Sequence, residues 1–204
     1  MERDLVMLKA VLKADYERHI NKFALLEARD TELVLLGDSM LAYYPVKRLF
    51  RGRHVINQGI PGDTTEGVLN RLEHVVRLMP KQVVLHAGTN DFVLLEDDAM
   101  AICERLITIK DALEKAIPKV RVLVVSALPI HPGKLKTALF VRDNAKLTGL
   151  NQWLESHLPP KQYVDLSKHV IREGALDPDL TTDGLHLNDQ GYAVYHRHLT
   201  ARLW

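Results

Sequence analysis

Apolar residues at Leu5, Leu8, Leu12, Tyr16, Ile20 and Phe23 recur in steps of three and four. That spacing predicts an amphipathic helix with one buried stripe, running to about Leu26. The pattern then changes. Glu32-Leu-Val-Leu-Leu36 is a short apolar run stopped by Gly37, too short for a helix and suited to a buried strand. Comparable runs stand at Val55–Asn57, Gln82–Ala87, Val120–Ala127 and Gln162–Asp165. Longer stretches with helical spacing separate them, at Ser39–Phe50, Thr64–Leu78, Asp97–Ile117 and Leu139–His157, and a last one covers Asp189–Leu203. Strands alternating with helices imply right-handed crossovers and a parallel sheet covered on both faces. The expectation is an α/β chain folded as a three-layer α/β/α sandwich, flavodoxin-like, around a five-stranded parallel sheet.

Composition narrows the class without changing that picture. Hydrophobic residues make up 47% and charged residues 26% of the 204 residues, so there is material for a large core and no signature of disorder. No repeat or linker divides the sequence, and a single domain over residues 1–204 is expected, with residues 1–28 preceding the first motif. Lys plus Arg number 27 against 26 Asp plus Glu, and there is no basic tail. A net charge of +1 argues against nucleic acid as a partner, because phosphate affinity needs a local cationic excess. Cys103, the only cysteine, excludes an intramolecular disulfide and a cysteine-based metal cluster. Its helical setting reads as a buried small hydrophobe. No stretch approaches the length of a membrane span, and the N-terminus lacks a signal-peptide pattern, so a cytoplasmic location is expected.

In doubly wound sheets the working residues sit on loops at the carboxyl ends of the strands. Four such loops draw attention: Gly37-Asp38-Ser39, Gln58-Gly59-Ile60-Pro61-Gly62-Asp63-Thr64, Gly88-Thr89-Asn90-Asp91 and Thr182-Asp183-Gly184-Leu185-His186. Taken alone, Ser39 reads first as a helix N-cap, and otherwise as a nucleophile at a helix start. Asp183 and His186, three apart across a glycine turn, can place a carboxylate beside one imidazole nitrogen and leave the other for a hydroxyl. Their bland reading is a cap on the final helix and a surface histidine. Asn90 and Gly62, with the N–H of Ser39, supply donors of the type that stabilise a tetrahedral oxyanion. Their bland readings are an Asx turn and turn punctuation after Pro61. All four loops open onto one rim, which favours the catalytic reading of the set.

These four blocks, in this order, resemble those of the SGNH hydrolases, also called the GDSL esterase/lipase family, from about Glu32 to Tyr195. The run Asn57–Leu72 is similar to the intracellular platelet-activating-factor acetylhydrolase subgroup. The resemblance implies Ser39 as nucleophile, His186 as general base, Asp183 as its partner, and Ser39, Gly62 and Asn90 as the oxyanion hole. Gly59 also occurs in the second block, but the register gives Gly62 the donor role. Met40 replaces the leucine of the family's name, a conservative swap. His86 stands where a buried strand usually carries an apolar residue and reads as a packed histidine. The helix before the first block lies outside the resemblance; it is expected to cover the sheet or build a subunit contact, and a homodimer is plausible.

The expected activity is a serine esterase acting on small-molecule, short-acyl esters, with acetyl foremost, and needing neither cofactor nor metal. Leu128–Lys134, with the segment to Phe140, is expected to wall the acyl pocket. Two alternatives stay open: a lysophospholipase or thioesterase for longer chains, and a non-catalytic module binding a small anion. A metal cluster of His186, His196, His198 and Asp189 is disfavoured, since His196 and His198 are two apart on a predicted helix and diverge. Gly59–Gly67 lacks the phosphate-loop pattern, and the nucleophile elbow of the α/β-hydrolases is absent, since Leu41 stands where its second glycine belongs.

Overall fold

The computed structural model describes residues 2–27, 29–135 and 142–204. Five short strands form its centre: Leu33–Gly37 (β1), Val55–Gly59 (β2), Gln82–His86 (β3), Arg121–Val125 (β4) and Tyr163–Val164 (β5). All pair in parallel in the order β2-β1-β3-β4-β5, with Leu33 opposite both Val55 and Gln82. The strands read as continuous apolar runs because both faces are covered, and every residue of β1 is buried.

Alternate side chains leave the sheet on opposite sides and set the three layers. Val34, Leu36, Val83, Leu85, Val122 and Val124 pack with Ala99–Ala116 (α7) and Asn144–His157 (α8). Leu33, Leu35, Val84, Leu123 and Val125 pack with Asp189–Leu203 (α9) and with Met40, Leu41 and Tyr44. In this strand order the direction of winding reverses between β1 and β3, which leaves a crevice at their carboxyl ends. The Ser39 and Asn90 loops flank it.

Two predicted helices are broken. Ser39–Phe50 becomes Ser39–Ala42 (α2) and Val46–Leu49 (α3), because Pro45 has no N–H and disfavours a helical residue before it. Thr64–Leu78 becomes Thr65–Leu69 (α4) and Glu73–Val76 (α5), with a looser turn from which Arg71 reaches inward. Asp91–Leu94 forms a one-turn helix (α6) directly after the third block. Ile171–Arg172 (β6) and Ala175–Leu176 (β7) form an antiparallel hairpin that two-residue strands could not announce in the sequence. The helix predicted from Leu139 starts at Asn144, capped by Asp143.

The N-terminal helix, Glu2–Ala24 (α1), lies over the loop that follows β2 rather than over the sheet. Tyr16 Oη donates to the Gly67 carbonyl at 2.8 Å, and Arg77 donates to the carbonyls of Phe23, Ala24 and Leu26. Leu12 rests on Gly62: a Cβ there would sit 2.5 Å from a Leu12 methyl.

Candidate active site

Gly37 ends β1 so close to its neighbour that a Cβ would lie 1.8 Å from the His86 carbonyl oxygen. This close approach brings the Asp38 N–H onto that oxygen at 3.1 Å and turns the chain into α2. Asp38, not Ser39, is the N-cap, accepting from the Met40 N–H at 2.9 Å. The Ser39 hydroxyl is therefore not consumed by capping. It lies 3.0 Å from His186 Nε2.

His186 Nδ1 lies 2.8 Å from Asp183 Oδ2. A carboxylate only accepts, so Nδ1 carries the hydrogen and Nε2 is left to accept from the serine. Asp183 Oδ1 takes the backbone N–H groups of Leu185 and His186 at 2.9 and 2.8 Å, so one side chain fixes both the turn and the ring. Partial burial works to raise the Asp183 pKa, but the hydrogen bonds from the His186 ring and the two amides outweigh it and hold the carboxyl below its ordinary value. The turn is braced from outside by Thr181 Oγ1, which donates to the His186 carbonyl, and by the His131 N–H, which donates to that of Gly184. The described part of the Leu128–Lys134 loop thus buttresses this turn; the continuation to Phe140 lies outside the described residues from 136 on. Asn188, not Asp183, caps α9. Tyr43 sets its ring edge-on to His186, with centroids 5.2 Å apart.

Asn90 N-caps α6 without using its side chain for the cap. Its amide nitrogen instead donates to the Asp63 carbonyl at 2.8 Å, and its oxygen accepts from Arg142 at 2.5 Å. Gly62 adopts φ +76°, a left-handed conformation that favours glycine. Among the described residues the N–H groups of Ser39 and Gly62 have no acceptor, whereas that of Gly59 donates to Asn57 Oδ1 at 2.8 Å. Ser39, Asp183 and His186 are thus joined, and Asn90 is tied to the Gly62 loop.

Beneath these loops lie groups that sequence reasoning missed. Arg71, 1% exposed, donates to Asp63 Oδ2 at 2.9 Å and to the Gly37 carbonyl at 3.1 Å, clamping the second loop to the first. Asp91 accepts the Thr65 N–H at 3.0 Å and Arg105 at 3.1 Å, holding the start of α4 against the third block. Burial raises the Asp38 carboxyl to about 7 and that of Asp63 to about 6, against the opposing pull of Met40 N–H and Arg142 in the first and Arg71 in the second. No local spacing announces such partners; Arg142 is 52 residues from Asn90.

The other histidines raised by the sequence pack against neighbouring rings. His86 is fully buried, stacks on Tyr195 and hydrogen-bonds its hydroxyl at 2.9 Å; burial lowers it to about 4. His196 meets Tyr44, and His198 stacks on His169. Among the described residues no group of three or more His, Cys, Asp or Glu side chains is placed to hold a metal ion. Cys103 is buried in the core, with its thiol raised by burial to about 11.

Residues 35–194 match the family model of the GDSL-like lipase/acylhydrolases. The chain belongs to that family. The acylhydrolase is 31% identical to platelet-activating factor acetylhydrolase IB subunit alpha2 of Homo sapiens over 186 residues, covering 85% of this chain and 76% of the relative. It is 27% identical to subunit alpha1 of Rattus norvegicus, covering 86% and 76%. Among solved structures, one from Streptococcus pneumonia named for platelet activating factor superposes with a TM-score of 0.87 at 24% identity, covering 100% of both chains. The lipase/acylhydrolase from Enterococcus faecalis superposes at 0.68 with 26% identity, covering 85% and 95%. As a family member, the acylhydrolase is a carboxylic ester hydrolase, and its substrates are small-molecule esters. No described helix is long and apolar enough to cross a membrane.

Proposed function

We propose that this acylhydrolase cleaves short-acyl esters, acetyl esters foremost, through an acyl-enzyme on Ser39. The observation that carries the reading is the unbroken relay from Asp183 Oδ2 through the His186 ring to Ser39 Oγ, at 2.8 and 3.0 Å. Ser39 Oγ attacks the ester carbonyl as His186 Nε2 takes its proton. The oxyanion is met by the N–H groups of Ser39 and Gly62 and by the second amide N–H of Asn90, the one not directed at Asp63. Collapse breaks the ester C–O bond, and the departing alcohol takes the proton from His186. A water, deprotonated by the same nitrogen, then attacks the acyl carbon and releases the carboxylic acid and Ser39.

Relatives named as acetylhydrolases support acetyl among the acyl groups. Beside His186 an open cleft of about 930 Å³, lined by Tyr43, Pro45, Thr182 and Leu187 among others, offers room for the alcohol. A series of p-nitrophenyl esters of increasing acyl length tests the reading. The expected result is a kcat/KM maximum at acetyl or propionyl that is abolished by Ser39→Ala. A maximum at octanoyl or beyond would replace it with a long-chain esterase.

A further inference from the structure

Arg142 is buried beside Asn90, at the start of the segment that leads into α8. Its guanidinium can only donate, and the Asp63 carbonyl can only accept. The Asn90 amide between them therefore has a single satisfactory orientation, with Oδ1 on Arg142 and Nδ2 on Asp63. That orientation leaves the second N–H of Nδ2 outside the bond to Asp63, the donor proposed above for the oxyanion. The mirror arrangement would set N–H against guanidinium and oxygen against oxygen. The chain of bonds continues, because Asp63 is itself held by Arg71, which also grips Gly37 two residues before the serine. Every donor proposed for the oxyanion thus hangs on a buried arginine.

We propose that Arg142 is a positioning residue for ester hydrolysis, locking the Asn90 amide in its donating orientation and strengthening that donor. A cation bonded to the amide oxygen draws electron density from the nitrogen, so the N–H becomes the better donor. Asp38 and Asp183 also act on the Arg142 charge, balancing a cation that burial alone would disfavour. A lone arginine in no motif gave no signal in the sequence, and the bond to Asn90 only becomes visible in three dimensions.

The inference rests on the ester-hydrolysing reading of this site, and the test separates the two. Arg142→Met, Asn90→Ala and the double variant are assayed on p-nitrophenyl acetate, with folding checked by thermal denaturation. Asn90→Ala is expected to lower kcat about 10²–10³-fold, the scale of one oxyanion donor. Arg142→Met is expected to lower kcat about 10–100-fold with KM changed less than about threefold, because the donor is misaligned rather than deleted. In the Asn90→Ala background the same change costs less than about threefold, as coupling through one group demands. Methylguanidinium added to Arg142→Ala restores part of the lost kcat, which a purely structural role would not allow. If the methionine variant fails to fold, Arg142→Lys, which keeps the charge without the planar fork, carries the test with an expected three- to tenfold loss, roughly, in kcat. Multiplicative losses, or a wild-type kcat in Arg142→Met or Arg142→Lys, overturn the role of Arg142 while leaving the esterase reading intact. A wild-type kcat in Asn90→Ala overturns the oxyanion role of Asn90 and with it that of Arg142, whereas hydrolysis of p-nitrophenyl acetate that persists unchanged in Ser39→Ala overturns the esterase reading.

Discussion

Asp183→Asn isolates the one role that decides whether His186 can act as a base. In the native turn the carboxylate accepts three hydrogen bonds: two backbone N–H groups on Oδ1 and the His186 ring on Oδ2. An asparagine amide has one oxygen, which keeps both backbone bonds, and an NH2 that then faces His186 Nδ1. That nitrogen must become an acceptor, so the ring proton moves to Nε2, where it points at Ser39 and blocks proton removal. Tautomer reversal of this kind lowers kcat about 10⁴-fold in a serine triad, or about 5 kcal/mol of barrier. The fold is expected to lose little, because exchanging charged for neutral acceptors costs on the order of 1 kcal/mol per bond. Over the two backbone bonds that is about 2 kcal/mol, and for a chain of this size a fall in Tm of roughly 4–8 °C. Stopped-flow hydrolysis of p-nitrophenyl acetate and scanning calorimetry measure the two quantities together. A folded Asp183→Asn protein with kcat within about tenfold of wild type would refute the reasoning, since a wrongly protonated Nε2 could not sustain it.

Other consequences are as direct. Gly62→Ala is expected to lose about 1–2 kcal/mol from its left-handed backbone alone, and more from the clash 2.5 Å from Leu12; Leu12→Ala in the same chain should recover the second part only, as read by chemical denaturation. Asp38, raised from 3.8 to about 7, is a buried carboxyl that favours its proton. The stability it contributes is full below pH 3.8 and is lost as pH rises through about 7. Asp38→Asn keeps an acceptor for Met40 and should flatten that decline, by up to about 4 kcal/mol between pH 4 and 8; parallel pH profiles for the two proteins would refute it. Arg71→Met, which leaves Asp63 buried without its partner, is expected to cost about 3–5 kcal/mol in stability, measured by denaturant midpoint; a loss under about 1 kcal/mol would show that the ion pair does not hold the loop.

The features legible in the sequence are those written in local spacing. A short apolar run closed by glycine marked β1, and a carboxylate and histidine three apart across Gly184 foretold the Asp183–His186 contact. Periodicity found α9 to the residue, since nothing interrupts its stripe and Asn188 opens it. It overran at Ser39–Phe50, where apolar spacing continues through Pro45 but the backbone hydrogen bonds cannot. The buried arginines were out of reach for a different reason. Arg71 and Arg142 look like surface cations in the sequence, and only the topology brings Asp63, Gly37 and Asn90 to their donors. The choice of Gly62 over Gly59 rested on motif register alone. In the fold the Gly59 N–H is engaged with Asn57, whereas that of Gly62 has no acceptor among the described residues and is the one open to an oxyanion.

Labelling with a fluorophosphonate tests the central claim most directly, because the reagent needs an activated serine and leaves a tetrahedral oxygen among the proposed donors. The account predicts one adduct per chain, located on Ser39 by peptide mass spectrometry, absent in Ser39→Ala and strongly slowed in His186→Ala. An unlabelled wild-type protein, or equal labelling rates with and without His186, would contradict it.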